Sequence, residues 1–304
     1  MILKTLKALC CCLLPLVSFS QSTTSKLISD RPGFTYPANI LPKKTVQFEH
    51  SMEFSSFRQS GPLNVPLSWE FNPARDTASS SYKLKNINYR HDLRYGLWKN
   101  LELGLGLVTN TVVQSTEDQE YFDYNRPNFN VFANFRVRLL NEEKHWLNMM
   151  LLFEASLGRA FIGHINQGTS APQELYINRL LIGKNFKKQS VNLNISLIES
   201  MPSYISAAGS YRYQISERSA VMAEVYTIPV VETYADWNAL PLNFGAGYVR
   251  SINDNMQFDV FAGYENQNVN SYGFERFYKS YDGQRFFINL GFCWRFSTLK
   301  AKPD

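Results

Sequence analysis

Apolar and polar side chains alternate at every second position through most of this chain, in segments of roughly ten residues. The clearest case runs from residue 101 to 107, where four leucines share one face and Glu102, Gly104 and Gly106 occupy the other. Successive side chains of a β-strand point to opposite faces, and about 9–11 residues suffice for a tilted strand to cross a membrane. The alternation therefore predicts an all-β fold of about twelve strands between residues 45 and 296.

The predicted links between these strands are alternately short and long. Links after even-numbered strands are tight: 96–100, 141–144, 185–189, 216–218 and 253–255. Links after odd-numbered strands are mostly long and polar: 58–79, 114–126, 158–173, 229–239 and 265–282, with 199–202 as a short exception. This layout is typical of a single antiparallel transmembrane β-barrel with periplasmic turns, extracellular loops and both termini in the periplasm. The sixth strand, within 174–186, has no clear register.

The chemistry of the polar face separates a membrane barrel from a soluble β-sandwich, the alternative fold. The apolar faces carry almost no charge, because a charge facing lipid at mid-depth costs about 2–4 kcal/mol. The opposite faces collect the charged residues predicted to line a lumen or channel wall: Glu49, Glu53, Arg90, Asp92, Arg94, Glu102, Arg136, Arg138, Glu154, Arg212, Asp259 and Arg295. Such a wall indicates a closed barrel with a polar interior.

The first twenty residues have the pattern of a secretory signal peptide. Lys4 and Lys7 precede an apolar run, and small residues at 18 and 20 predict cleavage before Gln21. A membrane anchor is the alternative, although the run is short for a span. The expected domains are a signal peptide at 1–20, a periplasmic or lumen-docked leader at 21–44, the barrel at 45–296 and a tail at 297–304. The expected location is the outer membrane of a diderm bacterium.

Several functional classes find no support in the residues. The net charge of +5 includes no dense basic run, so nucleic acid is not an expected partner. After cleavage only Cys293 remains, and no catalytic motif, metal-ligand cluster or cofactor motif is present, so an enzyme is not expected. His50 and His91 are predicted to be adjacent on the outward face. A barrel-wall lipid hydrolase would need a serine beside them, and their outward neighbours include none.

Three short stretches carry a family resemblance. The leader contains Asp30-Arg31-Pro32, residues 42–49 form a Pro-Lys-Lys-Thr-Val-Gln-Phe-Glu entry into the first strand, and Leu93-Arg94-Tyr95-Gly96-Leu97-Trp98 leads into Leu101-Glu102-Leu103. Over residues 30–107 the chain resembles the outer-membrane barrel family labelled for the meta-pathway of phenol degradation. The resemblance implies an outer-membrane barrel associated with uptake of aromatic or other hydrophobic compounds.

Two functions remain open at this point. The first is a channel or uptake protein for small solutes, hydrophobic or aromatic ones included, in which the charged wall selects what passes. The second is a non-conducting barrel filled by internal ion pairs, whose extracellular loops, such as 121–126 and 272–281, bind a ligand or partner. Asp30 and Arg31 are predicted to dock the leader to lumen charges, with a free periplasmic leader as the alternative. Expected partners are outer-membrane lipids, a small solute in the lumen and, during insertion, the barrel-assembly machinery.

Overall fold

A computed structural model describes residues 27, 29–30, 33–60, 81–116, 128–157, 176–199, 204–227, 242–269 and 281–297. Within these residues the chain forms twelve strands. Their bounds are β1 Thr45–Ser60, β2 Ser81–Trp98, β3 Leu101–Thr116, β4 Asn128–Leu140, β5 Asn148–Ser156, β6 Tyr176–Asn185, β7 Gln189–Glu199, β8 Tyr204–Ser216, β9 Ser219–Thr227, β10 Leu242–Asn253, β11 Met256–Val269 and β12 Tyr281–Ser297.

Every strand pairs antiparallel with its neighbours in the sequence, and β1 also pairs with β12, which closes the barrel. The closing seam pairs Thr45 with Ser297 and Ser60 with Asp282. Among the described residues, closure leaves no strand as a free edge of the sheet, a requirement for a sheet in hydrocarbon. The prediction of a closed antiparallel barrel of twelve strands is confirmed.

The two ends of the barrel differ in their connections. Short links at 99–100, 141–147, 186–188, 217–218 and 254–255 meet at one end, here called the turn end. Odd-numbered strands end and the even-numbered strands that follow them begin at the other end, here called the loop end. The links between them lie outside the described residues apart from Leu157. The leader enters β1 from the turn end, because β1 begins there.

The outward face is apolar and exposed, as expected for a surface that contacts lipid. Leu105, Phe244 and Phe286 keep 49, 54 and 53 % of their surface accessible. The described residues contain no helix that is long and apolar enough to cross a membrane.

Three phenylalanines point inward, and each covers a glycine on a neighbouring strand. A side chain at Gly106 would meet the ring of Phe132, and the same holds for two further pairs, Gly245 with Phe261 and Gly263 with Phe287. Each glycine thus leaves the space that a ring fills on the inner wall.

Candidate functional site

The described residues of the leader, 27, 29–30 and 33–44, run along the inside of the barrel to the start of β1. Leu27, Ala38 and Leu41 keep only 2–3 % of their surface exposed. At the turn end the Lys44 N–H donates to the carbonyl of Gly96 at 2.7 Å, which fixes the leader where it enters β1. No strand forms in its described residues, so its attachment to the wall depends mainly on side chains.

A cluster of buried charges holds the first described part of the leader. The Asp30 carboxylate forms ion pairs with two arginines, Arg94 at 3.1 Å and Arg136, whose guanidinium contacts both carboxylate oxygens. Arg94 also contacts Glu49 at 2.8 Å and Glu102 at 2.6 Å. Burial alone raises the pKa of Asp30, but Arg136 and Arg94 outweigh burial and hold that pKa below its ordinary value of 3.8. The arrangement links a leader residue to β1, β2, β3 and β4.

Hydrogen bonds extend this cluster on both sides. The Ser29 hydroxyl donates to Glu49 at 2.8 Å, and the Leu41 N–H donates to Glu102 at 2.9 Å. The same two wall carboxylates therefore bind Arg94 and the leader together. Unpaired, each would carry a large desolvation cost in this buried position.

The leader bends at Gly33, whose φ of +99° is one that L side chains rarely adopt. A Cβ at Gly33 would lie 2.1 Å from a carboxylate oxygen of Glu224 on β9. This close approach lets Glu224 accept the Phe34 N–H at 2.9 Å and the Thr35 hydroxyl. Glu224 is 2 % exposed and bound by donors of the leader.

Aromatic side chains surround Phe34, which follows the bend at Gly33 and is here called the tip of the leader. The Phe34 ring stacks on Tyr226 with 4.2 Å between centroids, and it meets Phe287 edge-on at 5.8 Å. The Tyr226 hydroxyl donates to Glu265 at 2.9 Å. Phe34 nevertheless keeps 38 % of its surface accessible, so one side of the ring faces open space inside the barrel.

The next leader residues pack on β5 and β6. Ala38 joins a buried apolar cluster with Met150, Leu152 and Leu181. The Tyr36 ring receives the guanidinium of Arg179 at 4.6 Å from its centroid. The inward face of these strands is therefore partly apolar, which explains why the alternation gave no register for the sixth strand.

The structure separates the predicted wall residues into groups. Glu49, Arg94, Glu102 and Arg136 form the Asp30 cluster. Arg90 contacts Asp92 at 2.7 Å and Glu154 at 3.7 Å in a second cluster. Glu53 pairs with Arg285, which also contacts Glu265 at 2.8 Å.

Four predicted wall residues lie apart from these clusters. Asp259 and Arg295 are buried, and Arg295 donates to the Asp254 carbonyl at 3.2 Å. Arg138 is half-buried near the turn end, and Arg212 faces a cavity described below. Arg31, predicted to dock beside Asp30, lies outside the described residues.

His50 and His91 are paired across β1 and β2, with their Nδ1 atoms 3.0 Å apart. They share the outward face of these strands with Phe48, whose ring lies 6.2 Å from that of His91. The residues that the structure describes contain no group of three or more metal-ligating side chains arranged around one point.

Sequence reasoning missed Glu224, Glu265 and Arg285, as well as the aromatic contacts of Phe34. Glu224 lies on a short strand in which both faces are largely apolar, so the sequence did not show which face points inward. Arg285 precedes a clearly alternating stretch, but its partner Glu53 lies 232 residues away across the seam. The alternation along a strand shows which face a residue occupies. It does not show which residues meet across the seam between β1 and β12, because that depends on how the barrel closes and on the strand register.

Comparisons with known proteins reveal similar folds at low sequence identity. No family model and no curated protein matches the chain, so the resemblance of residues 30–107 to the phenol-degradation family stays a prediction. The translocator domain of the autotransporter NalP from Neisseria meningitidis shares 10% identity at a TM-score of 0.47, covering 84% of this chain and 90% of that one. The Pseudomonas putida toluene transporter TodX shares 9% at 0.43, covering 84% and 90%. The KdgM porin shares 9% at 0.39, covering 79% and 98%. At these values the likeness says nothing of what this chain binds.

Proposed function

We propose that the protein is an outer-membrane channel for small solutes, hydrophobic or aromatic ones included, whose lumen is occupied by its own leader. In this proposal the turn end faces the periplasm and the loop end faces outside. The exposed apolar outer face and the buried charges of the inner face support a membrane setting.

The observation that carries the proposal is the leader inside the barrel. It is tied to the wall at Asp30, at Phe34 with Thr35, and at Leu41, and these ties are made to carboxylates and arginines of the wall. Because these ties are not part of the strand pairing, the leader can act as a plug that leaves the lumen while the sheet stays paired.

The tip of the plug supports the solute class. The ring of Phe34 keeps 38 % of its surface accessible and packs against the buried rings of Tyr226 and Phe287, so Phe34 itself offers the aromatic surface to a solute. Arg285 lies 5.1 Å above the Phe287 ring. A small aromatic solute entering from outside would stack there before passing the plug.

Single-channel conductance in planar bilayers tests this function. The chain from Gln21 is compared with one that lacks residues 21–41, after heat-modifiability on gels shows that both barrels are folded. Rare or small steps for the first and larger, frequent steps for the second are the expected result. Equal conductance would overturn the plug.

The second candidate is the non-conducting barrel with binding loops. The ion pairs that satisfy Arg94, Arg136 and Arg285 favour it, because paired charges fill a lumen whether or not solute passes. A folded leader deletion that stays silent in the bilayer would move this candidate to first place. The loops themselves lie outside the described residues.

A further inference from the structure

A cavity of about 270 Å³ remains beside the leader at the turn end. Leader residues, among them Leu27, Pro37 and Asn39, form one side. Inward side chains of β7, β8 and β9 and the link from β6 to β7 form the other, including Asn192, Ser210, Arg212, Gln214 and Met222. The leader therefore does not fill the barrel on this side.

The lining is cationic. Lys187, Lys188 and Arg212 contribute to it, and the described lining residues include no carboxylate. The backbone of Lys188 is held in place, because the Gln214 N–H donates to its carbonyl at 2.7 Å. The described lining thus has an excess of positive charge, whereas in the Asp30 cluster each arginine lies beside carboxylates.

Within the described part of the chain, no group contacts the Arg212 guanidinium directly. Arg90, Arg94, Arg136 and Arg285 each contact a carboxylate, whereas the Arg212 guanidinium makes no hydrogen bond or ion pair among the residues that the structure describes. Asp259 supplies a longer-range attraction and leaves the N–H groups of Arg212 unoccupied. A guanidinium with free N–H groups matches a carboxylate or phosphate, which it binds through two parallel hydrogen bonds.

The remaining lining adds an apolar requirement. Leu27, Pro37, Phe186 and Met222 line the same cavity as the three cations. An inorganic anion would leave this surface without a partner, whereas a small organic acid would cover it while its carboxylate meets Arg212. The cavity volume of about 270 Å³ suits a molecule of about nine non-hydrogen atoms, taking about 30 Å³ as the share of one water in the liquid.

We propose that this cavity binds a small organic carboxylate with an apolar body, which Arg212 engages through its guanidinium and Lys187 and Lys188 attract from the turn end. The inference deepens the proposed function, on which its physiological role rests, by naming the class of solute held beside the plug. Neutral solutes of the same shape would not be held there.

Equilibrium titration calorimetry in detergent micelles tests the site on the folded chain from Gln21. The probes are benzoate, benzyl alcohol as its neutral counterpart, and inorganic phosphate. Saturable benzoate binding that weakens at least tenfold in Arg212→Gln and in the double variant Lys187→Gln/Lys188→Gln is expected. Benzyl alcohol should not bind saturably. The matched control is Lys99→Gln/Lys144→Gln, which removes two turn-end lysines that do not line the cavity and should leave the affinity unchanged.

Each other outcome rejects the proposal. Benzoate affinity that is unchanged in Arg212→Gln, or reduced equally in the control, would show general charge attraction. Phosphate binding more tightly than benzoate would reject the organic acid. Should Arg212→Gln fail to fold, Arg212→Lys and the lysine variant retain the test. Because no flux is measured, Arg212-dependent binding in a barrel that is silent after leader deletion would keep this site and reject the channel; conductance without binding would do the reverse.

Discussion

The leader touches two walls of the same barrel, and they hold it by different chemistry. On β1 to β4 the contacts are ion pairs around Asp30, in which every buried charge depends on its neighbours. On β5, β6, β9, β11 and β12 the contacts are aromatic and aliphatic, with Glu224 accepting leader N–H and O–H groups. Loss of one member leaves charges unpaired on the first wall, whereas it removes only that member's contacts on the second.

The largest expected effect comes from breaking the ion-pair wall at its centre. Arg94→Met leaves Glu49, Glu102 and Asp30 without their shared cation, and removal of one partner from a buried pair costs about 3–5 kcal/mol. Denaturant unfolding in detergent should show a fall of that size in the free energy of unfolding. Arg250→Met, at an exposed arginine, is the control. An equal fall in the free energy of unfolding in Arg94→Met and Arg250→Met would show that the ion pairs of the cluster do not stabilise the fold.

The bend of the leader comes next. Gly33→Ala places a Cβ against Glu224 at a positive φ, for a cost of about 1–3 kcal/mol, and should detach the tip. The readout is thiol labelling of Cys293, which is buried, lies against Ser29 and is the only cysteine after residue 12. Faster labelling is expected.

Gly209→Ala is the matched control, because its Cβ would meet nothing nearer than 3.9 Å. Unchanged labelling in Gly33→Ala would show that the bend does not hold the leader in place.

A smaller effect is expected on the aromatic wall. Phe34→Ala removes the contacts with Tyr226 and Phe287, which are worth about 0.5–1.5 kcal/mol each as aromatic pairs. Labelling of Cys293 should rise less than in Gly33→Ala, and Phe34→Leu should restore part of the protection through its apolar area. If Phe34→Ala lowered the free energy of unfolding as much as Arg94→Met does, the two walls would not differ in how they hold the leader.

The smallest effect is one of pH. Since the folded-state pKa of Asp30 is lowered, its contribution to stability is present above the ordinary pKa of 3.8 and is lost as pH falls through the lower folded value. Conductance should therefore stay low from neutral pH to about pH 4 and rise only in stronger acid through this group. The Asp30→Asn variant should lack that rise. Opening of the wild-type chain near pH 6 that persists in Asp30→Asn would assign the response to another group.

The ion-pair wall could be predicted from the sequence to a large extent, and the aromatic wall could not. On the first four strands, polar and apolar side chains alternate clearly. This alternation showed that Glu49, Arg94, Glu102 and Arg136 lie on the inward face. Ile177 and Leu181 also point inward, with Leu181 packed in the cluster of Ala38, and they hide the polar face of β6. Asp30 could be singled out from the sequence as a charge in the Asp30-Arg31-Pro32 stretch of the leader, whereas Phe34 resembles any other aromatic residue until its tertiary contacts are known.

The seam between β1 and β12 has a consequence for the order of folding. Contacts between residues far apart in the chain form late, because closing a long loop costs conformational entropy, and Glu53 meets Arg285 across 232 residues. Asp30 meets Arg136 across only 106 residues, so bringing these two together closes a shorter loop at a lower entropy cost. The leader can thus be captured by an open sheet of four strands, and the later strands close around it as around a template.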